Sequence, residues 1–137
     1  MNNNDPGRWI DLPANHDPRG TLTSIEGGQD LPFEIQRIFY MHHMTADRGG
    51  HAHIDTDQLV IVPAGTLTLR LSNRTNTVEF VMNNPDRGLF IPRLVFIDIC
   101  NISPDAVCLV LASTHYQRHQ SLRDRASWLA YLEKHTL

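Results

Sequence analysis

Polar and apolar residues alternate strictly through Thr66-Leu67-Thr68-Leu69-Arg70-Leu71, placing the leucines on one face. A period of two marks a strand with one buried side, and it excludes a helix over the same stretch. The pattern recurs in short runs broken by turn residues. Ser72-Asn73-Arg74-Thr75-Asn76 reads as a hairpin turn answered by Thr77-Val78-Glu79-Phe80-Val81. Asn83-Asn84-Pro85-Asp86-Arg87-Gly88 leads into Leu89-Phe90-Ile91-Pro92. Leu94 to Ile102 and Ala106 to Ser113 are nearly continuous apolar runs, as expected of strands buried on both faces. Upstream, Thr21 to Ile25 and Glu34 to His43 read as strands, and Trp9-Ile10-Asp11-Leu12 as a short edge strand. Only the tail looks helical. Ser121 with Asp124 offers a cap, and Leu122, Ala126, Leu129 and Leu132 recur at helical spacing. Many short strands with one terminal helix predict an all-β sandwich or small barrel.

At 137 residues the chain is expected to form a single domain over residues 1–137. A formal net charge of -3 argues against a broad basic surface, so no nucleic-acid partner is expected. No apolar run approaches the ~20 residues needed to span a bilayer, and Met1-Asn2-Asn3-Asn4-Asp5 is not a signal peptide. The expectation is a cytoplasmic protein with no membrane partner. Cys100 and Cys108 flank a turn-like Ser103-Pro104-Asp105 and are read as buried thiols, not a disulfide.

The chemistry concentrates in Arg48-Gly49-Gly50-His51-Ala52-His53, followed by Gln58 and by Pro63-Ala64-Gly65. Two histidines one residue apart face the same way only on an extended backbone, and the β-rich run Leu59-Val60-Ile61-Val62 favours that conformation. Such a pair is half of a metal site, acid/base equipment, or two histidines on a wet surface.

The spacing resembles the first motif of the cupins, double-stranded β-helices (jelly rolls) that enclose small ligands. Gln58 falls where that motif has Glu, and Gly65 where it has Gly. The counterpart of the second motif begins at Pro92, with Leu94 and Ile97 where Gly and a fourth, histidine ligand are usual, and Asn101 at its end. An amide and an alkyl group thus replace two of four ligands. An amide oxygen is a weak ligand for a transition metal and isoleucine offers none, so neither a metal nor another cofactor is expected.

A closer likeness is to the sugar-nucleotide 3,4-ketoisomerases of the cupin class, which act on dTDP-4-keto-6-deoxyglucose in deoxysugar biosynthesis. It rests on Arg19-Gly20-Thr21-Leu22-Thr23-Ser24-Ile25-Glu26, Leu31-Pro32-Phe33, Arg37-Ile38-Phe39-Tyr40, the glycine–histidine stretch, Ile91-Pro92, and Leu111-Ala112-Ser113 with Tyr116. The resemblance implies a jelly roll with a short C-terminal helix, a homodimer exchanging N-terminal strands, metal-independent chemistry and a dTDP-linked keto-sugar as partner. The chain departs from the family at Phe96-Ile97-Asp98, where Trp, a polar residue and Glu are usual. It departs again at Tyr116-Gln117-Arg118-His119-Gln120-Ser121-Leu122-Arg123, where Tyr-Asp-x-x-Asp-Tyr-Ile-Arg is usual.

Moving a ketone from C4 to C3 requires taking the C3 proton, passing through an enediol and protonating C4. Imidazole, with a reference pKa about 6.5, suits that base. His51 is the first choice as shuttle, with His53 orienting it, donating to the enolate oxygen or sharing the transfer. Asp55 could hold a tautomer or face solvent. Arg19, Arg37 and Arg48 are candidates for the diphosphate, because a guanidinium matches pairs of phosphate oxygens. Phe39 or Tyr40 could line the sugar or base pocket, one facing in and the other out, and Gln58 could hydrogen-bond the sugar. Two other readings compete: a metal-dependent cupin such as a dioxygenase, and a non-catalytic nucleotide-sugar binder.

Overall fold

The structure is a computed structural model that describes residues 4–117 and 119–135. Two five-stranded antiparallel sheets face each other. One runs β1 (Arg8–Asp11), β9 (Arg87–Ile91), β6 (Gln58–Ala64), β11 (Val107–Ala112), β4 (Arg37–Met41). The other runs β12 (Ser121–Leu122), β5 (Arg48–His53), β10 (Phe96–Cys100), β7 (Leu67–Ser72), β8 (Thr77–Met82). A separate ribbon pairs β2 (Ala14–Asp17) with β3 (Gly20–Thr23), and α1 (Arg125–His135) ends the described chain. The expected all-β jelly roll with a short terminal helix is what the chain adopts.

The alternation read from the sequence builds the core. Leu67, Leu69 and Leu71 of β7 turn inward against Val60 and Val62 of β6, Leu89 and Ile91 of β9, and Val110 of β11, all nearly inaccessible. Each such aliphatic side chain contributes about 1.5–3 kcal/mol of transfer free energy. The core fills one end of the sandwich; the other end stays open between β5, β10, β6, β11 and β4.

Strand β5 breaks the period-two rule at one place. Against β10, Ile99 faces Arg48, Asp98 faces Gly49, Ile97 faces His51 and Phe96 faces Ala52, so Gly50 is an extra residue without a partner. Gly49 and Gly50 have φ of +96° and +72°, a region side chains avoid. This bulge shifts the parity of the strand. Unbroken alternation from Arg48 would aim Ala52 inward and both histidines outward; the extra residue aims Arg48, His51 and His53 into the same space.

The tail differs from expectation. Asp124, not Ser121, caps α1: its carboxylate accepts from the Ser127 backbone N–H at 2.7 Å and from the Ser127 hydroxyl at 3.0 Å. Ser121 instead lies in β12, paired with His53 of β5. The leucine–alanine stripe packs only in part: Leu122 and Leu132 lie against the Ala52–Phe96 cluster, whereas Ala126 and Leu129 are exposed. Trp128 carries the packing, 1% exposed against Ala52 and Phe96, with its indole N–H donating to the Leu94 carbonyl at 2.7 Å. Leu94 has φ +71°, where the cupin motif has glycine, and its N–H donates to the His53 carbonyl at 2.7 Å. The strand expected from Glu34 to His43 is confined to Arg37–Met41, because His43 (φ +53°) turns the chain out of the sheet. The free thiols are as read: Cys108 is buried and Cys100 partly so.

The bulge can be tested directly. A Cβ at position 49 would stand 2.6 Å from the Ile97 carbonyl oxygen and 2.9 Å from the Asp98 Cα, on a backbone that disfavours it. Gly49→Ala is therefore expected to lower stability by about 2 kcal/mol or more in urea unfolding. Unchanged stability would show that the bulge is not locked there.

Candidate functional site

The open end is a cavity of about 540 Å³. Strand β5 brings Arg48, His51 and His53 to it, β4 brings Arg37 and Phe39, and β6 brings Gln58. Val60, Leu69, Ile97, Ile99 and Val110 give it an apolar floor. Six of the eight residues singled out from the sequence thus converge on one space.

Two do not. Tyr40 alternates to the outer face of β4, 63% exposed, beside His42. Phe39 is the inward member of that pair. Arg19 sits on the β2–β3 turn, largely in solvent, and binds Asp17 with a shortest N···O distance of 2.8 Å. Its own chain does not bring it to the cavity. Asp55 accepts from the Thr56 hydroxyl at 3.2 Å, and among the described residues no hydrogen bond links it to an imidazole.

The imidazoles of His51 and His53 lie 4.9 Å apart between ring centroids and nearly perpendicular, at 86°. Burial lowers the pKa of His51, opposed by its hydrogen bond to the Gly49 backbone. Burial pushes His53 further, to about 4, reinforced by the nearby charges of His51 and Arg37. Both rings are therefore neutral near pH 7, each with one nitrogen as donor and one as acceptor. His53 Nε2 is buried without a partner, while Nδ1 lies 3.3 Å from the Ser121 hydroxyl.

The rim is cationic. Arg37 lies over Phe39 and Tyr116, its guanidinium carbon 5.1 and 5.3 Å from the two ring centroids, and its buried Nε lacks a partner. Arg48 leans on the Met41 sulfur at 3.1 Å. Arg123, beyond β12, lines the same space with Ser121 and Tyr116. Sequence reasoning missed Arg123 and Ser121 as site residues. The signal for Arg123 was present, since it keeps the final Arg of the tail pattern; Ser121 was marked only as a departure from that pattern and as a helix cap. Among the described residues no group of three or more His, Cys, Asp and Glu side chains is arranged to hold a metal ion. Ile97 stands across from His51, where a fourth ligand was considered. Cys108 lines the cavity wall, its thiol pushed up to about 12 by burial.

An open-ended jelly roll with paired neutral histidines, an apolar floor and an arginine rim defines a cupin-like small-ligand site. The family described as FdtA, WxcM-like, C-terminal matches residues 5–133, and the chain belongs to it. It is 29% identical over 120 residues, 86% of each chain, to the TDP-4-oxo-6-deoxy-alpha-D-glucose-3,4-oxoisomerase of Aneurinibacillus thermoaerophilus. A 3,4-ketoisomerase from Helicobacter canadensis superposes with TM-score 0.89 at 32% identity, covering 93% of this chain and 97% of that one. A mutant of the 3,4-ketoisomerase QdtA from Thermoanaerobacterium thermosaccharolyticum, in complex with TDP-4-keto-6-deoxyglucose, superposes with TM-score 0.91 at 29% identity, covering 100% and 99%.

The lowered His53 pKa makes stability depend on pH. Above pH 6.5 the ring is neutral in both states and nothing is lost. As pH falls toward 4 the unfolded chain takes up the proton first, so stability declines and then levels off below the folded pKa. His53→Gln is expected to shrink the loss between pH 7 and pH 4.5 by about 2 kcal/mol in urea unfolding. An identical loss in the variant would show that His53 titrates normally.

Proposed function

We propose that this chain isomerises TDP-4-keto-6-deoxyglucose, moving the keto group from C4 to C3 through an enediol, without a resident metal. The observation that carries this reading is the pair of perpendicular, neutral imidazoles facing an apolar-floored cavity rimmed by Arg37, Arg48 and Arg123. The relatives named for that reaction and that substrate support it.

The residues divide the work by chemistry. The arginines supply planar donors for the diphosphate, and Phe39 and Tyr116 supply flat apolar surface at the same rim. Buried Gln58 can hydrogen-bond a sugar hydroxyl. His51 takes the C3 proton; the C3–H pair becomes the C3–C4 double bond as the C4 carbonyl pair moves to oxygen. The hydroxyl proton passes from O3 to O4 across the enediolate. His51, whose proton exchanges with solvent in the meantime, then delivers a proton to C4, the carbonyl re-forming at C3. No oxidant is needed. Low solvent access at the rings strengthens each of these polar interactions.

The proposal includes a homodimer. Among the described residues the β2–β3 ribbon pairs with neither sheet of its own chain and the outer edge of β4 carries no strand, while Leu22, Ile38 and Tyr40 expose apolar surface on these elements. Exchange of N-terminal strands would cover that edge and could bring Arg19 near the partner's cavity. Among the described residues no helix is long and apolar enough to cross a membrane.

Incubation with TDP-4-keto-6-deoxyglucose in deuterated water should place deuterium on the ring, and His51→Asn should abolish this while leaving TDP binding within about threefold. Binding without exchange in the parent protein would favour the non-catalytic binder. Exhaustive chelation should leave the parent rate unchanged; activity lost with a stoichiometric metal and restored by it would favour the metal-dependent reading. Analytical ultracentrifugation should give a dimer, converted to monomer by Leu22→Asp with Ile38→Asp.

A further inference from the structure

We infer that Ser121 is a positioning residue that fixes the tautomer of His53, so that His53 meets the substrate as a neutral N–H donor. His51 is then left as the base at carbon. The inference rests on the proposed isomerase reading and assigns the two imidazoles different tasks within it.

Three observations carry it. Ser121 is the register partner of His53 in the β12–β5 pairing, so their side chains share a face of the sheet. Its Oγ lies 3.3 Å from His53 Nδ1. On the other side of the same ring, Nε2 is buried and without a partner, in a residue that lines the cavity. A neutral imidazole bearing its proton on one nitrogen must accept at the other. The Ser121 hydroxyl makes no other hydrogen bond among the described residues, and on this assignment it is the donor and the Nδ1 lone pair its acceptor. That leaves the ring proton on Nε2, the orphaned atom. Nε2 has no acceptor among the described residues, and the acceptor assigned to its proton is an oxygen of a ligand in the cavity that His53 lines.

His51 is arranged the opposite way. The Gly49 backbone hydrogen-bonds its ring in the sense that favours the protonated form, as a carbonyl accepting a ring N–H does. Its other nitrogen keeps a lone pair. One imidazole therefore offers a proton and its neighbour an electron pair, 4.9 Å apart. As the C3–H bond breaks toward His51, negative charge collects on O4, and a donor fixed beforehand stabilises it without reorganisation. His53 keeps its own proton throughout; the balance of the reaction is unchanged.

Ser121 is itself held in place. Leu122 follows it and packs with Ala52, Phe96 and Trp128, and Trp128 anchors α1 to the Leu94 carbonyl. The hydroxyl is thus presented by a two-residue strand fixed from both its pairing and its packing.

The test uses the full chain with ¹⁵N-labelled histidine. Side-chain ¹⁵N–¹H correlation at pH 7 should show His53 protonated at Nε2 in the parent protein. Ser121→Ala should give a mixture of tautomers and a kcat lower by about tenfold with KM within about twofold, and Ser121→Thr should restore both. A parent His53 protonated at Nδ1, or Ser121→Ala with tautomer and kcat unchanged, would overturn the inference with the isomerase intact. A parent protein that exchanges no deuterium into TDP-4-keto-6-deoxyglucose would overturn the reaction itself, and the tautomer would be read independently of that outcome.

Discussion

One unpaired glycine in β5 determines whether this chain has a site. Side chains on a strand alternate, and Arg48 and His51 are an odd number of residues apart. Only an extra residue between them can turn both toward the same cavity. Gly50 is that residue, and the left-handed backbone at Gly49 and Gly50 is the local cost. The bulge lies where β5 presses against the Ile97 carbonyl, so no side chain fits at position 49. Bulges commonly re-aim side chains beside functional sites. Here the re-aiming puts a guanidinium and two imidazoles into one pocket.

Most of the fold was legible because its strands are short and strongly patterned. Thr66 to Leu71 announced β7, and the turn at Asn73 announced the hairpin to β8. What was not legible is what depends on neighbours. The β2 strand is polar after Ala14 and pairs only with β3 among the described residues, so no alternation marks it. The tail helix was visible, yet its buried face was not. Trp128 is the fully buried helix residue at the Ala52–Phe96 surface, with Leu132 packing beside it, while Ala126 and Leu129 at the same helical spacing face solvent. Ser121 looked like a cap because Asp124 follows three residues later, but its backbone was already committed to β5.

The site was legible in its residue types and less so in its geometry. His-x-His on a strand fixed a shared face, and alternation required that Phe39 and Tyr40 point apart. Which of them points inward depended on the register of β4 against β11, a relation between segments about seventy residues apart. Arg19 illustrates the same limit, since its segment matches the family while its own chain leaves it in solvent. Leu94 shows the converse. The side chain has changed from the motif's glycine, yet the left-handed backbone persists, held by His53 on one side and Trp128 on the other. Such a residue costs about 1–2 kcal/mol in backbone strain, which those two hydrogen bonds help to offset.

Cys108 has a consequence for any ketone that enters the cavity. A sulfur anion at the cavity wall would add to an electrophilic carbonyl and trap the sugar as a hemithioketal. Desolvation pushes its pKa up to about 12 and so holds the group as a thiol at pH 7. The same apolar wall that accommodates a carbohydrate ring thus also disarms the thiol placed beside it, and that sulfur should be correspondingly slow toward alkylating reagents and peroxide.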